Sequence, residues 1–379
     1  MRYYGLHEGT QDDLMTSEKK QRPLRSGYTT GACAAAAAKA AALLLFTNRA
    51  PSQVTITFPD ETQHIFTLHD CRMLDHTATA SVIKDAGDDP DVTNGAEIGV
   101  EIVESIWEPG TAQFRLLSGE GVGTVTKPGL AVPVGEPAIN PIPRQMIIHA
   151  IQEAIAESDQ DNPALDIRVF VRNGEELAEK TLNHRLGVLG GLSILGTTGI
   201  VRPISAKAWT DTIEASMSVA RAAGLDTVIL STGRTSEKAV QDILHLPEEA
   251  QVMMGDYLHY ALEAARRNGF THIVLATMWA KLLKAALAVP QTHVRHGALH
   301  PSQVAELLEE IGLPASEADD MSQANTAREI YNRLRAAGRM DLITTVCVRA
   351  QQQAREWSGL PVSVYLVTSE EGVVHHEPY

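Results

Sequence analysis

Three stretches of this sequence combine residue types that could do chemistry. The first is Arg25-Ser26-Gly27-Tyr28-Thr29-Thr30-Gly31, followed at once by the alanine- and leucine-rich run Ala34–Leu45. Alanine and leucine are strong helix formers, so the run predicts a helix starting at Thr29–Gly31, with a threonine as N-cap. A helix start offers free N–H groups and about half a positive charge. Glycine and hydroxyls there let an anion approach, and Arg25 adds a full charge. Arg25, Tyr28, Thr29 and Thr30 could therefore grip a carboxylate or phosphate. The same residues serve equally well as the plain cap of a core helix.

The second stretch, Lys84-Asp85-Ala86-Gly87-Asp88-Asp89-Pro90-Asp91-Val92-Thr93, puts four carboxylates within seven positions after a β-like run. Clustered oxygens suit hard cations, but the EF-hand spacing and its closing glutamate are missing. Asp85 or Asp88 could act as a base with Lys84 as an anion anchor. By composition alone a solvated acidic turn is the stronger reading.

The third group is glycine–threonine loops. Leu195-Gly196-Thr197-Thr198-Gly199-Ile200 lies in a glycine-rich region, and Ser231-Thr232-Gly233-Arg234 follows the buried strand pattern Thr227–Leu230. Thr277-Met278-Trp279 follows a second such pattern, Thr271–Ala276. Ligands of open α/β sheets bind at such carboxyl ends. Gly119-Glu120-Gly121-Val122-Gly123 resembles a nucleotide loop, but β-like residues stand on both sides, so a hairpin turn is expected instead. Thr292-His293-Val294-Arg295-His296 and His300 form a basic stretch with no metal-ligand spacing.

Two kinds of texture must position these loops. Short β-like segments (Val54–Phe58, Gln63–Leu68, Thr77–Ile83, Ile98–Ile102, Gln113–Leu117, Gly123–Thr126) predict an antiparallel or mixed sheet. A proline-rich stretch, 127–144, leads into a helix capped by Asn140-Pro141 and running to about Glu157, then the strand Leu165–Val171. Beyond the glycine-rich stretch, helix patterns (Trp209–Ala223, Glu237–Leu244, Gly255–Asn268, Trp279–Ala288 and three more) alternate with buried strands, ending with Val362–Val367. That alternation predicts a parallel sheet covered on both faces. The expected architecture is two-domain: a mobile tail over 1–21, an α+β domain over 22–190 with a mixed or antiparallel sheet and the alanine helix, and an α/β domain over 191–379 with a mostly parallel sheet.

At 379 residues, the chain exceeds one ordinary core. Its 44% hydrophobic and 21% charged content is that of a globular protein. A net charge of −15 repels nucleic acid and anionic membrane. A polycarboxylate ligand would need a site that reverses this field locally. No window of about 18 apolar residues is expected to span a membrane, since Ala34–Phe46 is short and carries Lys39. The polar N-terminus has no secretion signal pattern. Cys33, Cys71 and Cys347 are too few and too far apart for a disulfide frame or a zinc site, and read as reduced thiols of a cytoplasmic protein.

Leu24–Cys33 with its alanine helix resembles the signature of cobalt-precorrin-5B C1-methyltransferases. Lys84–Thr93 is similar to that family's second motif. Gly121-Val122-Gly123 with Val125–Leu130, then Gly135–Pro141, resemble the third and fourth. Asn183–Val201 resembles the fifth and Asn325-Thr326-Ala327 a late one. The resemblance implies methyl transfer from S-adenosylmethionine to carbon 1 of a cobalt-bearing tetrapyrrole in cobalamin biosynthesis, giving cobalt-precorrin-6A. It implies no metal held by the protein itself and leaves homo-oligomerisation open. On it rest the expected roles. Arg25, Lys84, Lys127 and Arg144 would grip the substrate's carboxylate arms, with Tyr28, Thr29 and Thr30 beside them. Asp85 or Asp88 would accept a proton. Gly196, Thr197, Thr198, Gly199, Thr232, Gly233 and Arg234 would hold the cofactor. Three places depart from the family pattern: Ala32 where threonine is expected, Arg234 where asparagine follows glycine, and Trp279-Ala280-Lys281 where glycine-lysine is expected. These departures suit the alternative of a corrinoid-binding carrier without methyl transfer. An enzyme of phosphorylated metabolites rests on the glycine–threonine loops alone.

Overall fold

The computed structural model describes residues 24–106, 113–158, 163–203, 205–292 and 299–379. The expected tail 1–21 and the histidines at 293 and 296 lie outside them. The first half runs β1 (Gly27–Tyr28), α1 (Thr30–Thr47), β2 (Gln53–Thr57), β3 (Gln63–Thr67), β4 (Asp70–Leu74), β5 (Thr77–Ile83), β6 (Glu97–Glu104), β7 (Phe114–Ser118), β8 (Thr124–Val125), α2 (Pro141–Glu157), β9 (Leu165–Val171), α3 (Gly174–Ala178), β10 (Val188–Leu189) and β11 (Ile200–Val201). The second runs α4 (Ala206–Ala222), β12 (Thr227–Ser231), α5 (Arg234–Leu244), β13 (Gln251–Met253), α6 (Leu258–Arg267), β14 (His272–Met278), α7 (Trp279–Ala286), α8 (Pro301–Glu310), α9 (Ala315–Ser322), α10 (Ala327–Ala336), α11 (Met340–Ser358), β15 (Val362–Thr368) and β16 (Gly372–Glu377).

Helix α1 forms because alanine propensity and two caps agree. Thr29 accepts from the Ala32 N–H, and Asn48, in the left-handed region, closes the far end on the Leu44 carbonyl. Alanine side chains let α1 sit close between α2 and the strands β5 and β6. The helix has 18 residues and is apolar enough to cross a bilayer by length and composition, contrary to the expectation that no window is. Yet 78% of it is buried inside the fold. Lys39, in its middle, is held by Glu153 at 3.1 Å, Glu157 at 2.6 Å and the Thr55 carbonyl at 2.8 Å. That pairing is what lets a lysine lie in a core.

The sheet under α1 has the order β4-β5-β6-β9-β7, antiparallel except for the parallel pair β7–β9. The sheet of the second half has the order β13-β12-β14-β15-β16, parallel except for its β16 edge. Its two faces are covered by separate apolar clusters, α4, α6, α7 and α11 lying on one face and α5 on the other.

Three sequence expectations change. Residues 191–201, assigned to the second half, belong with the first: Leu192 and Ile194 lie in its core, and Ile200–Val201 pair with Tyr28 and Gly27. Short extended segments of glycine-rich chain find partners far away in sequence, which no local period reports. Second, the glycine turn 119–123 is no hairpin, because β7 pairs with β9 and β8 with β10. Third, four helices rather than three follow α7 among the described residues, and β1, β4, β10, β11, β13, β16 and α3 were not foreseen.

Candidate functional site

The family-like motifs converge in the first half, and they converge on one another. Gly27 and Gly87 cross so closely that a Cβ on Gly27 would lie 2.1 Å from the Ala86 carbonyl carbon. Around this crossing Tyr28 N–H donates to the Asp85 carbonyl (2.7 Å) and Asp88 N–H to the Arg25 carbonyl (2.9 Å). The Arg25 N–H donates to the Asp88 carboxylate at 2.6 Å. The loop 195–199 docks from the other side. Gly31 N–H donates to the Leu195 carbonyl at 3.1 Å and Thr29 N–H to the Gly199 carbonyl at 2.9 Å. Thr30 Oγ1 accepts from the Leu195 N–H (2.9 Å) and donates to its carbonyl (3.1 Å).

This arrangement decides between the two readings of the α1 start. Thr29 and Thr30 are buried, and the first N–H groups of the helix are taken by Thr29 and Leu195. The element is a cap and a docking edge. Tyr28 joins a ring cluster with Phe58, His64 and Phe66. Gly196 and Gly199 are close-approach glycines: side chains there would strike Thr29 and the Phe58 ring. Thr198 Oγ1 bonds within its own turn, while Thr197 is exposed. The structure thus places Gly196–Gly199 with the first motif.

The four expected anion-gripping cations are engaged. Lys84 is 1% exposed and pairs with Asp91 at 2.6 Å, so it cannot reach a ligand. Burial pulls the Asp91 carboxyl up, but the Lys84 ammonium and the Thr93 donors pull harder, and the net shift is downward. Lys127 pairs with Glu249 at 2.8 Å. Arg144 donates to the carbonyls of Ile139 (2.7 Å) and Pro137 (3.0 Å), bracing the proline loop. Arg25 forms a two-pronged pair with Asp85 at 2.5 and 2.8 Å, yet its side chain stays 56% exposed. That hydrogen bond and charge hold the Asp85 carboxyl below the usual carboxylate range. Asp85 is therefore a poor proton acceptor, and Asp88 is tied to the Arg25 backbone. The acidic loop is a brace, ordered by Asp91, Asn94 and their backbone partners. Among the described residues no three His, Cys, Asp or Glu side chains converge as a metal site.

The second half differs. In the strand order β13-β12-β14 the chain steps from β12 to β13 on one side, then to β14 on the other. The crevice between the carboxyl ends of β12 and β14 is thus a topological switch point, where open α/β sheets take ligands. Thr232-Gly233-Arg234 form its β12 lip. Gly233 precedes α5, and a Cβ built on it meets nothing within 4 Å. Arg234 is exposed on the first turn of α5. Lys281, noted from sequence only as part of a departure from the family pattern, reaches from α7 to Asp256 (3.1 Å) and to the carbonyls of Thr232 (3.3 Å) and Gly255 (3.5 Å). The missed signal was Met254-Gly255-Asp256 directly after a three-residue strand.

The halves meet near this lip. Arg185 pairs with Glu237 on α5 and with Glu248 at 3.5 Å, and Ser218 Oγ donates to the Gly129 carbonyl at 2.6 Å. Burial, and then the neighbouring Arg234 charge, lower the Arg185 pKa, while Glu248 opposes them.

Comparison with known proteins fits both halves. The CbiD family model matches residues 17–203, and the model of the CbiD C-terminal domain matches 291–378. The cobalt-precorrin-5B C(1)-methyltransferase of Desulfotalea psychrophila is 52% identical over 95% of this chain and 100% of its own length.

The chain belongs to the CbiD family.

A second CbiD relative, the cobalt-precorrin-5B C(1)-methyltransferase of Geobacter metallireducens, is 46% identical over 93% of this chain and 99% of its own. The crystal structure of the cobalamin biosynthesis protein (cbiD) from Archaeoglobus fulgidus is 27% identical and covers 69% of this chain and 79% of that one. Its TM-score of 0.38 is too low for the likeness to bear on the fold. Within this CbiD chain the departures noted above fall in two environments. Ala32 is buried in the α1 cap, whereas Arg234 and Lys281 both line the crevice.

Proposed function

We propose that the chain is a cobalt-precorrin-5B C1-methyltransferase that takes its methyl group from S-adenosylmethionine. The observation that carries the reaction is the likeness to named relatives running through both halves over nearly the whole chain. The two cores act as two domains, the first forming the substrate side and the second the donor side.

The switch-point crevice fits the donor. Open space at Gly233 admits its backbone, and the N-terminus of α5 with Arg234 suits the carboxylate of its methionine end. Bound there, S-adenosylmethionine supplies an electrophilic methyl on a positively charged sulfur. The chain's own contribution is to hold two large ligands together and limit water between them, which can supply several kcal/mol of the barrier. On the substrate side, Arg25 is the one of the four expected cations whose side chain stays largely open, so it is assigned the contact with a carboxylate arm. Leu24 next to it and Leu195 next to Thr30 are exposed apolar residues suited to the face of a flat macrocycle. Lys84, Lys127 and Arg144 hold these elements in place.

Purified protein incubated anaerobically with S-adenosylmethionine and cobalt-precorrin-5B should yield product heavier by one methyl, with loss of the donor's methyl in equal amount. Binding of both ligands without product would instead support a carrier.

A further inference from the structure

We infer that Asp256 and Trp209 form the nucleoside end of the crevice, with the Asp256 carboxylate on the ribose hydroxyls and the Trp209 ring against the purine. This rests on the placement of the methyl donor at Thr232–Arg234. In a β–α–β unit whose first turn holds a ligand's charged group, the carboxyl end of the next parallel strand faces the ribose, and an acidic residue about twenty positions on takes its hydroxyls. Strands β12 and β13 are such neighbours, with Ser231 level with Met253. Asp256 lies three positions beyond β13.

Several observations fix this end of the crevice. Asp256 Oδ1 accepts from Lys281 Nζ at 3.1 Å and from Thr292 Oγ1 at 2.9 Å, so its direction is set from two elements. Lys281 also holds the Thr232 carbonyl, which ties the acidic residue to the β12 lip. Both side chains remain partly open, 31% for Lys281 and 27% for Asp256. Gly255 is left-handed at φ +57°, and a Cβ on it would lie 3.4 Å from the Trp209 ring. The positive φ calls for glycine, and the Trp209 ring lies in ordinary contact distance of the backbone that leads to Asp256. Trp209 stacks on Tyr257 at 6.4 Å and keeps 44% of its surface exposed. A large aromatic ring left this open beside a carboxylate suits a planar base joined to a diol.

The test is calorimetric titration of the full chain with S-adenosylhomocysteine and with its 2′-deoxyadenosyl counterpart. The unmodified protein should prefer the ribose form by about tenfold or more, as expected for a hydroxyl held by a charged acceptor. Asp256→Ala should bind both forms with one, weaker affinity. Asp256→Asn, which keeps a partner for Thr292, should fold normally and narrow the preference. Trp209→Ala should weaken both forms alike, and Trp209→Phe should recover most of that loss. Equal binding of the two forms by the unmodified protein, or a preference undiminished in both Asp256 variants, overturns the inference. The donor site at Thr232–Arg234 then still stands if Gly233→Val abolishes binding. Unchanged affinity in Gly233→Val removes that site and the inference with it.

Discussion

The two halves of this CbiD chain use their motif residues in opposite ways. In the first half, long family-like motifs meet at α1 and nearly every polar group in them has a protein partner: Thr30 with Leu195, Lys84 with Asp91, Arg25 with Asp85. In the second half, the β12–β14 crevice has short, unremarkable sequence but open geometry, with no atom near the Cβ position of Gly233. A dense motif here marks where distant segments must interlock. The residues left open, to which the proposed function assigns the donor, lie where topology leaves a gap.

The sharpest way to break that comparison is at the crossing of the first two motifs. Gly87 has φ +69°, and a Cβ there would lie 2.1 Å from the Arg25 carbonyl oxygen. Gly87→Ala should therefore cost about 3 kcal/mol or more and be seen as a large drop in thermal midpoint. A variant as stable as the parent would show that the crossing is loose and that the first motif is free to meet ligand.

Removing a buried charge comes next. Lys84→Met leaves the partly buried Asp91 without its ammonium, at a cost of about 2 kcal/mol at neutral pH. The pH dependence should also invert. In the parent, pairing holds the Asp91 carboxyl below its unfolded value. Its contribution is therefore present above the ordinary carboxylate range and is lost as pH falls through the lowered value. In Lys84→Met the ammonium's downward pull is gone and only the Thr93 donors still oppose burial, so the carboxyl rises and protonation relieves part of the penalty. Urea unfolding at pH 7 and at about pH 4.5 should show the deficit shrinking at the lower pH. A deficit that is constant or grows would mean that Lys84 does not hold Asp91 as described.

How much of this was legible follows from the range of each interaction. Helix α1 was readable because its alanines and its Thr29 cap are local. That Leu195 would close the N-terminus was not, since the partner lies 165 positions away. The same reach hid the company of Gly196 and Gly199, which pack against Thr29 and Phe58. In the second half the buried strands were plain from their apolar runs, and Thr232–Arg234 follow the carboxyl end of β12 as read. Asp256 was missed because β13 has only three residues and the following chain read as helix from Gly255, whereas α6 starts at Leu258. Charge type alone could not separate Arg25, which remains open, from Lys84, which does not.

Smaller effects sharpen the comparison from the surface. Arg25→Ala breaks a pair in which Asp85 is itself 51% exposed, so its stability cost should stay within about 1 kcal/mol. Its cost in turnover should be larger, as a raised KM for the corrinoid substrate with the donor's KM unchanged. A stability loss without any KM change would return Arg25 to a bracing role like that of Lys84.

The smallest stability effect should come from the crevice. Gly233 has extended backbone, φ 170°, which any residue adopts, and an added methyl meets open space. Gly233→Ala should thus unfold within about 0.5 kcal/mol of the parent. If that space is where the donor passes, the same methyl group should weaken S-adenosylhomocysteine binding severalfold in calorimetry. The two halves would then be separated by one kind of substitution: glycine to alanine that unfolds the protein at Gly87, and glycine to alanine that leaves it folded but impairs its ligand at Gly233. Unchanged affinity would mean that the opening at Gly233 is a surface gap, and that the donor must be sought along another strand end of the same sheet.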